Sequence, residues 1–371
     1  MLYLFNSGFR PLYVRNVLNT LFLPEGCTNE YRYRYVGEPR HVPPAVYSKL
    51  PELRSGMECV LCFIDRFGAT GYNYHPLRLG AYLSNREANG YLYFRIQLGT
   101  LLYPRDLAAF KHHLLEVLDP LGLPKLTAND PENASDGSYA ILAESIFRQA
   151  DEYLKDDAAW TAAVEDLSKT RALSTNSEQS PIFIRIDVHQ PSTDSKRIAP
   201  VLRDGASIYQ LEKDKSHELS LTYRFPRQRT DQGARARVEI KLGDNLRGQT
   251  SFSIDSHANS VLAPFSSKRY MEDSSGSITL SPVDESGQPS LLISDSSLRY
   301  EIRESTAFWL QMAGALLMFS LAGAFIGVDF SKLCPFSVQA FFSAAWPKLI
   351  AGLIQTAALF WVFRLIGKKV V

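Results

Sequence analysis

Thr306 to Val328 runs for 23 residues without one charged side chain. A bilayer core asks for about 20 consecutive apolar residues in a helix, so the run predicts a transmembrane span. Trp309 stands near its start, where interfacial aromatic residues sit. A second apolar run, Leu349 to Phe363, has 15 residues. That is about 22 Å of helix, which reaches spanning length if Arg364 snorkels outward. The alternative is a helical hairpin buried in a large core.

Charge is segregated in the same way. Residues 306–371 contain only Asp329, Lys332, Lys348, Arg364, Lys368 and Lys369, a net charge of +4. The first 305 residues carry 35 basic and 38 acidic groups, net −3. A nonspecific binder of bulk nucleic acid needs a strong positive excess, and this composition excludes one. Arg299, Arg303, Arg364, Lys368 and Lys369 flank the two runs, against Lys332 and Lys348 between them. The positive-inside rule then places both termini in the cytoplasm, with the N-terminal bulk cytosolic. Met1-Leu2-Tyr3-Leu4-Phe5 has no basic stretch before it, so it does not read as a signal peptide.

Cys27, Cys59, Cys62 and Cys334 form no disulfide framework, which fits a reducing compartment. Cys59 and Cys62 have metal-like spacing, but they lie in the apolar run Met57 to Ile64 without a second pair or a nearby His. Core packing explains them better than a metal site.

Four regions follow from the patterning. Residues 1–125 read as a mixed α/β domain. Within it, Tyr31-Arg32-Tyr33-Arg34-Tyr35 alternates as a strand, with tyrosines on one face and arginines on the other. Arg78 to Tyr103 reads as a hairpin around Glu87-Ala88-Asn89-Gly90. Residues 126–180 read as a polar linker plus a helical segment over 139–172, broken near Asp156-Asp157. Residues 181–304 read as a β-rich, sandwich-like domain, with strands expected at Ile182–Val188, Glu218–Phe225, Ala236–Leu242, Thr250–Ile254, Ser277–Leu280 and Leu291–Arg303. Residues 305–371 would be the hairpin. The expected fold class is thus an α+β cytosolic region with a helical middle and a C-terminal two-helix transmembrane hairpin.

No phosphate-cradling loop, dinucleotide fingerprint, zinc-protease motif or nucleophile elbow is present, so no catalytic residue, metal or cofactor is expected. His112 and His113 adjoin, but neighbours on a helix point about 100° apart and chelate poorly. Asp187 and His189 alternate on one strand face as an acid/base or metal pair without a third partner.

Arginine density is the strongest ligand signal. Arg224, Arg227, Arg229, Arg235 and Arg237, with Lys241 and Arg247, fall within 24 residues. Arginine forks grip phosphate, so a nucleotide or oligonucleotide signal would bind here, or anionic lipid; a salt-bridged sheet face is the plainer reading. The Tyr-Arg alternation at 31–35 equally fits a base-stacking strand or an ordinary half-exposed one. In the hairpin, Gly323 and Gly327 with Ser320 offer small packing surfaces, and Gln311 and Gln355 are polar groups facing other helices or water. Two helices enclose no pore alone, so conduction requires a homo-oligomer.

The plan resembles the transmembrane effectors of bacterial anti-phage defence systems, through Thr306–Val328, Leu349–Phe363 and the β domain feeding the first span. The resemblance implies an oligomeric ion channel or pore in the bacterial inner membrane, gated by a ligand or regulatory cytosolic protein, and it assigns no functional residue. A membrane-tethered scaffold that recruits a cytosolic partner, or a tethered enzyme around Asp187 and His189, are the other expectations.

Overall fold

A hairpin of two long strands is the spine of the N-terminal body in the computed structural model. Asn89 and Gly90 both take positive φ, 54° and 76°, the conformation a two-residue turn needs to match strand twist. The structure describes residues 1–7, 11–36, 41–67, 71–118, 139–147, 150–170, 183–191, 196–213, 215–224, 236–254, 260–268, 274–283 and 296–304, with Ala313, Gly314, Leu317, Ile350 and Leu353 beyond them.

The N-terminal elements are β1 (Leu2–Ser7), α1 (Pro11–Phe22), β2 (Thr28–Arg34), α2 (Pro44–Tyr47), β3 (Glu58–Phe67), β4 (Gly71–Ala88), β5 (Tyr91–Pro104), α3 (Leu107–Leu118), β6 (Tyr139–Leu142), β7 (Tyr153–Lys155) and α4 (Asp156–Leu167). They build one sheet in the order β2-β5-β4-β3-β1-β6, with β7 on the far end of β5. β1 and β3 run parallel, and their neighbours are antiparallel. Alternation sets the faces. Tyr31 and Tyr33 are fully buried, and so are Leu92, Phe94 and Ile96 on the paired strand. Arg32, Tyr91, Tyr93 and Arg95 point the other way and stay half-buried.

The second body has eleven strands: β8 (Phe183–Gln190), β9 (Lys196–Arg197), β10 (Val201–Arg203), β11 (Ala206–Glu212), β12 (Ser216–Arg224), β13 (Ala236–Lys241), β14 (Leu246–Gly248), β15 (Ser251–Ile254), β16 (Ser260–Ser267), β17 (Ser275–Val283) and β18 (Ser296–Arg303). Two sheets form, β10-β11-β18-β17-β13-β15 and β14-β16-β12-β8-β9. Their inner faces share one apolar core, including Ile186, Leu219, Leu221, Tyr223, Val238, Ile240, Leu280 and Tyr300. Each fully buried Leu or Ile contributes roughly 1.5–3 kcal/mol, so this core holds the sandwich. The outer face of β8 meets the first body, since Phe183 packs with Val17, Leu21, Trp160 and Val164 of α1 and α4.

Three expectations are corrected. The described molecule is β-rich, not α+β with a helical middle. Among the described residues of 139–172 only Asp156–Leu167 is an α-helix, while Tyr139–Leu142 and Tyr153–Lys155 are strands that pair with β1 and β5. Ile141 and Ile146 are core residues under the N-terminal sheet. Their spacing is compatible with a helix, but sheet edges leave backbone groups that a strand satisfies. The transmembrane hairpin is the second correction. Among the described residues no helix is long and apolar enough to cross a membrane. A span needs about 20 helical residues, and α1, α3 and α4 have 12 each. The transmembrane-helix and ion-channel expectations fall with this. The third correction follows: no such helix supports placement in the inner membrane with two cytoplasmic termini. Gln311, Ser320, Gly323, Gly327 and Gln355 lie outside the described residues.

Candidate functional site

The arginines singled out in the sequence do not gather on the described surface. Arg224 ends β12 in one sheet, and Arg237 lies on β13 in the other. Arg224 donates to the Thr161 carbonyl at 3.3 Å and approaches Glu165 at 3.9 Å, both on α4. Arg237 donates to Ser251 Oγ at 3.2 Å and sits 3.9 Å from Glu239. Arg227, Arg229 and Arg235 lie outside the described residues.

Asp187 and His189 share β8, but Asp187 is committed elsewhere. Arg185 Nε and Arg197 Nε reach its two oxygens at 3.1 and 3.2 Å, and Arg185 Nη1 also holds Asp157 of α4 at 2.6 Å. Burial raises the Asp187 pKa, and the two guanidiniums oppose that shift. The group latches α4 to the sandwich. Among the described residues no cluster of three His, Cys, Asp or Glu side chains could hold a metal ion. Cys59 and Cys62 are buried, and desolvation raises both thiols, Cys59 to about 12.

A buried relay lies beneath α4. Tyr103 donates to Asp166 Oδ2 at 2.9 Å, and its oxygen lies 3.1 Å from His75 Nδ1. Because the phenol proton goes to Asp166, Nδ1 of His75 is the donor and Nε2 is left as a lone pair. Nε2 has no hydrogen-bond partner among the described residues. Desolvation pushes the His75 pKa down to about 4.

A concavity lies at the seam between the two bodies, a cavity of about 290 Å³. That is near the lower bound for small-ligand sites, which favour such junctions. α1 and the residue after it contribute Asn19 and Leu23; β2 and the residue before it contribute Cys27, Thr28 and Asn29; β5 contributes Arg95. The sandwich supplies Ser207 and Tyr209 of β11 and Ser297, Leu298 and Arg299 of β18. These residues meet because β11 and β18 pair in parallel, which sets Ile208 against Arg299. Ser207 Oγ donates to the Gly26 carbonyl at 2.7 Å and ties the seam. Arg95 lies across the β10–β11 turn, where a Cβ on Gly205 would come within 2.8 Å of its Nη1. Gly205 has φ +70°, so the backbone favours glycine, while a Cβ there would displace the flexible end of Arg95.

One anchoring group stands behind the cavity. Arg78 is 2% exposed and donates to the carbonyls of Thr20, Leu23 and Gly99 at 3.0, 2.5 and 2.5 Å. Thr20 and Leu23 close the last turn of α1, where carbonyls have no helical partner and a cation suits the helix dipole. Burial pulls the Arg78 pKa down to about 10.

Electrostatically the cavity is cationic and without an acid or base near neutrality. Arg95 and Arg299 form no ion pair with any carboxylate among the described residues. Burial pushes the Cys27 thiol up to about 11 and the Tyr209 phenol well above its ordinary value, so both stay neutral. Sequence reasoning missed Arg95, and it read Arg299 and Arg303 as a charge flank of a membrane span. Arg303 in fact donates to Gln210 Oε1 at 2.9 Å. The available signal for Arg95 was its place on the polar side of an alternating strand.

No protein-family model matches the chain, and no curated protein matches it. Among solved structures, the extracellular domain of a one component system from Bacteroides thetaiotaomicron is 15% identical, with a TM-score of 0.20. That alignment covers 32% of this chain and 15% of the other. The extracellular domain of a hybrid two component system from the same organism is 11% identical at TM-score 0.21, over 65% of this chain and 26% of the other. A cohesin module from a Clostridium perfringens family 33 glycoside hydrolase is 11% identical at TM-score 0.17, over 29% of this chain and 99% of the module. Likenesses of this size define no common fold and assign no activity.

Proposed function

We propose that this protein is a binding protein, not an enzyme, and that it takes a small anionic ligand into the seam cavity. The observation that carries the reading is the pair Arg95 and Arg299, one from each body, facing a shared space without a carboxylate. Guanidinium forks bind carboxylate and phosphate in paired hydrogen bonds, and the neighbouring Ser207, Ser297, Thr28 and Asn29 add neutral partners. The neutral Cys27 and Tyr209 favour binding over acid–base work. A ligand held from both sides would also stiffen the junction, as a sensor requires. The resemblance to defence effectors contributes only the expectation of a nucleotide-type signal.

Isothermal titration of the full chain with nucleoside monophosphates, cyclic dinucleotides, inorganic phosphate and dicarboxylates tests the reading. At least one should bind, and Arg299→Ala should weaken it roughly 10-fold or more, the scale of a lost charge-assisted pair. No binding across the panel, or binding that Arg95→Ala and Arg299→Ala leave unchanged, would overturn it.

A further inference from the structure

The open face of β2, β5 and β4 carries a ladder of arginines laid on tyrosines. Arg32 and Arg86 flank Tyr93 in register, and Arg34 lies opposite Tyr91. Arg32 Cζ is 4.5 Å from the Tyr91 ring centroid, Arg34 Cζ is 5.8 Å from the same ring, and Arg86 Cζ is 3.9 Å from the Tyr93 ring. Glu30 is the acidic member of the face and bonds Arg86 at 2.7 Å. Arg32 Nε is buried and has no hydrogen-bond partner among the described residues. Two residues further along β5 comes Arg95, at the wall of the cavity. Residues on this face repeat about every 6.8 Å along the strand.

A guanidinium held flat over a ring keeps one planar face for stacking and its N–H groups at the rim for phosphate. Nucleic-acid bases stack on arginine planes as well as on aromatic rings. Acidic side chains meet the charge but offer no aromatic plane to stack, and an anionic polysaccharide offers none either. We propose that this face binds a single-stranded oligonucleotide. Its bases stack along the Arg–Tyr ladder, and its phosphates follow Arg34, Arg32 and Arg95 toward Arg299. The proposal rests on the anionic-ligand reading of the cavity for the end of the strand alone. Tyr31 and Tyr33 are wholly buried and out of reach of a base, whereas Tyr91 and Tyr93 on the neighbouring strand underlie the guanidiniums that would meet it.

Fluorescence anisotropy of the full chain with labelled oligouridylates and oligothymidylates of about 2 to 12 nucleotides tests this. Affinity should rise with length until the face is filled. Tyr93→Ala should weaken the longer strands roughly 5- to 100-fold, the scale of one lost stack. Tyr93→Phe, which keeps the ring and guards against a folding artefact, should bind as the parent does. Neither change should alter binding of a nucleoside monophosphate. Affinity that does not grow with length, or heparin and polyglutamate binding as tightly as the oligonucleotide, would overturn the proposal, and so would Tyr93→Ala binding like Tyr93→Phe. The two readings separate cleanly. If the cavity reading fails, mononucleotides do not bind and Arg299→Ala is silent, yet length and Tyr93 dependence persist. If the ladder fails, mononucleotide binding persists with no gain from length.

Discussion

Beneath the N-terminal sheet, polar side chains go inside: Asn6, Asn16, Asp65, His75 and Arg78 are all buried there. The two sheets of the sandwich instead meet mainly through Leu, Ile, Val, Phe and Tyr, with His217 and Asn245 as buried polar members. Arg185 and Asp187 are buried too, but they sit on the side of β8 that meets α1 and α4. The difference teaches where position has to be specified. An apolar interface rewards contact area and tolerates small slips. A buried guanidinium that must meet three carbonyls does not. The end of α1, which walls the cavity, is held in this second way.

The largest expected effect comes from breaking that hold. Arg78→Ala should cost roughly 3–5 kcal/mol in urea denaturation, because the carbonyls of Thr20, Leu23 and Gly99 lose their donor in a buried site. A loss near zero would mean that α1 is held by apolar packing, as the sandwich is. In the sandwich, Leu221→Ala should cost about 3 kcal/mol by leaving a cavity, with no dependence on pH between about 5 and 8.

Acid should act next on the buried histidines, chiefly on His75 of the N-terminal body. The folded pKa of His75 is about 4, below its ordinary 6.5, so the unfolded chain binds the extra proton between those values. Stability is complete above pH 6.5, falls as the pH drops toward 4, and levels off below. The span corresponds to on the order of 3 kcal/mol. Burial depresses His217 as well, which adds a slope of the same sign. His75→Gln should flatten most of the curve in a series of thermal melts; an unchanged curve would place the sensitivity elsewhere.

Smaller effects sharpen the contrast. Gly90→Ala should destabilise the β4–β5 hairpin by roughly 1–2 kcal/mol, because its φ of 76° is unfavourable for a side chain. Arg237→Ala, on the exposed surface of β13, should change stability by less than about 0.5 kcal/mol.

Local chemistry was legible wherever it decided the structure. Asn89-Gly90 defines its turn by backbone preference alone, and strict alternation tells which of Tyr31, Arg32 and Tyr33 go inside. The alternation near Glu218–Phe225 likewise corresponds to β12, where His217, Leu219, Leu221 and Tyr223 are buried. The segment around Ile141 and Ile146 misled because a spacing of three to five residues fits a helix and also a strand followed by a core-facing loop. What separates them is the free edge of β1, and no window of the sequence contains that edge.

The charge-free run predicts a span, but Thr306–Val328 lies largely outside the described residues, and none of the described helices is long and apolar enough to cross a membrane. The hairpin turn, the faces of the alternating strands and the burial of Cys59 and Cys62 depend on residues a few positions apart, so the residue pattern was enough for them. The cavity depends on the assembled fold. Arg95 and Arg299 are far apart in sequence, and their meeting depends on the parallel pairing of β11 with β18 and on the seam between two bodies. Long-range backbone pairing, not side-chain pattern, brings their charges to one space.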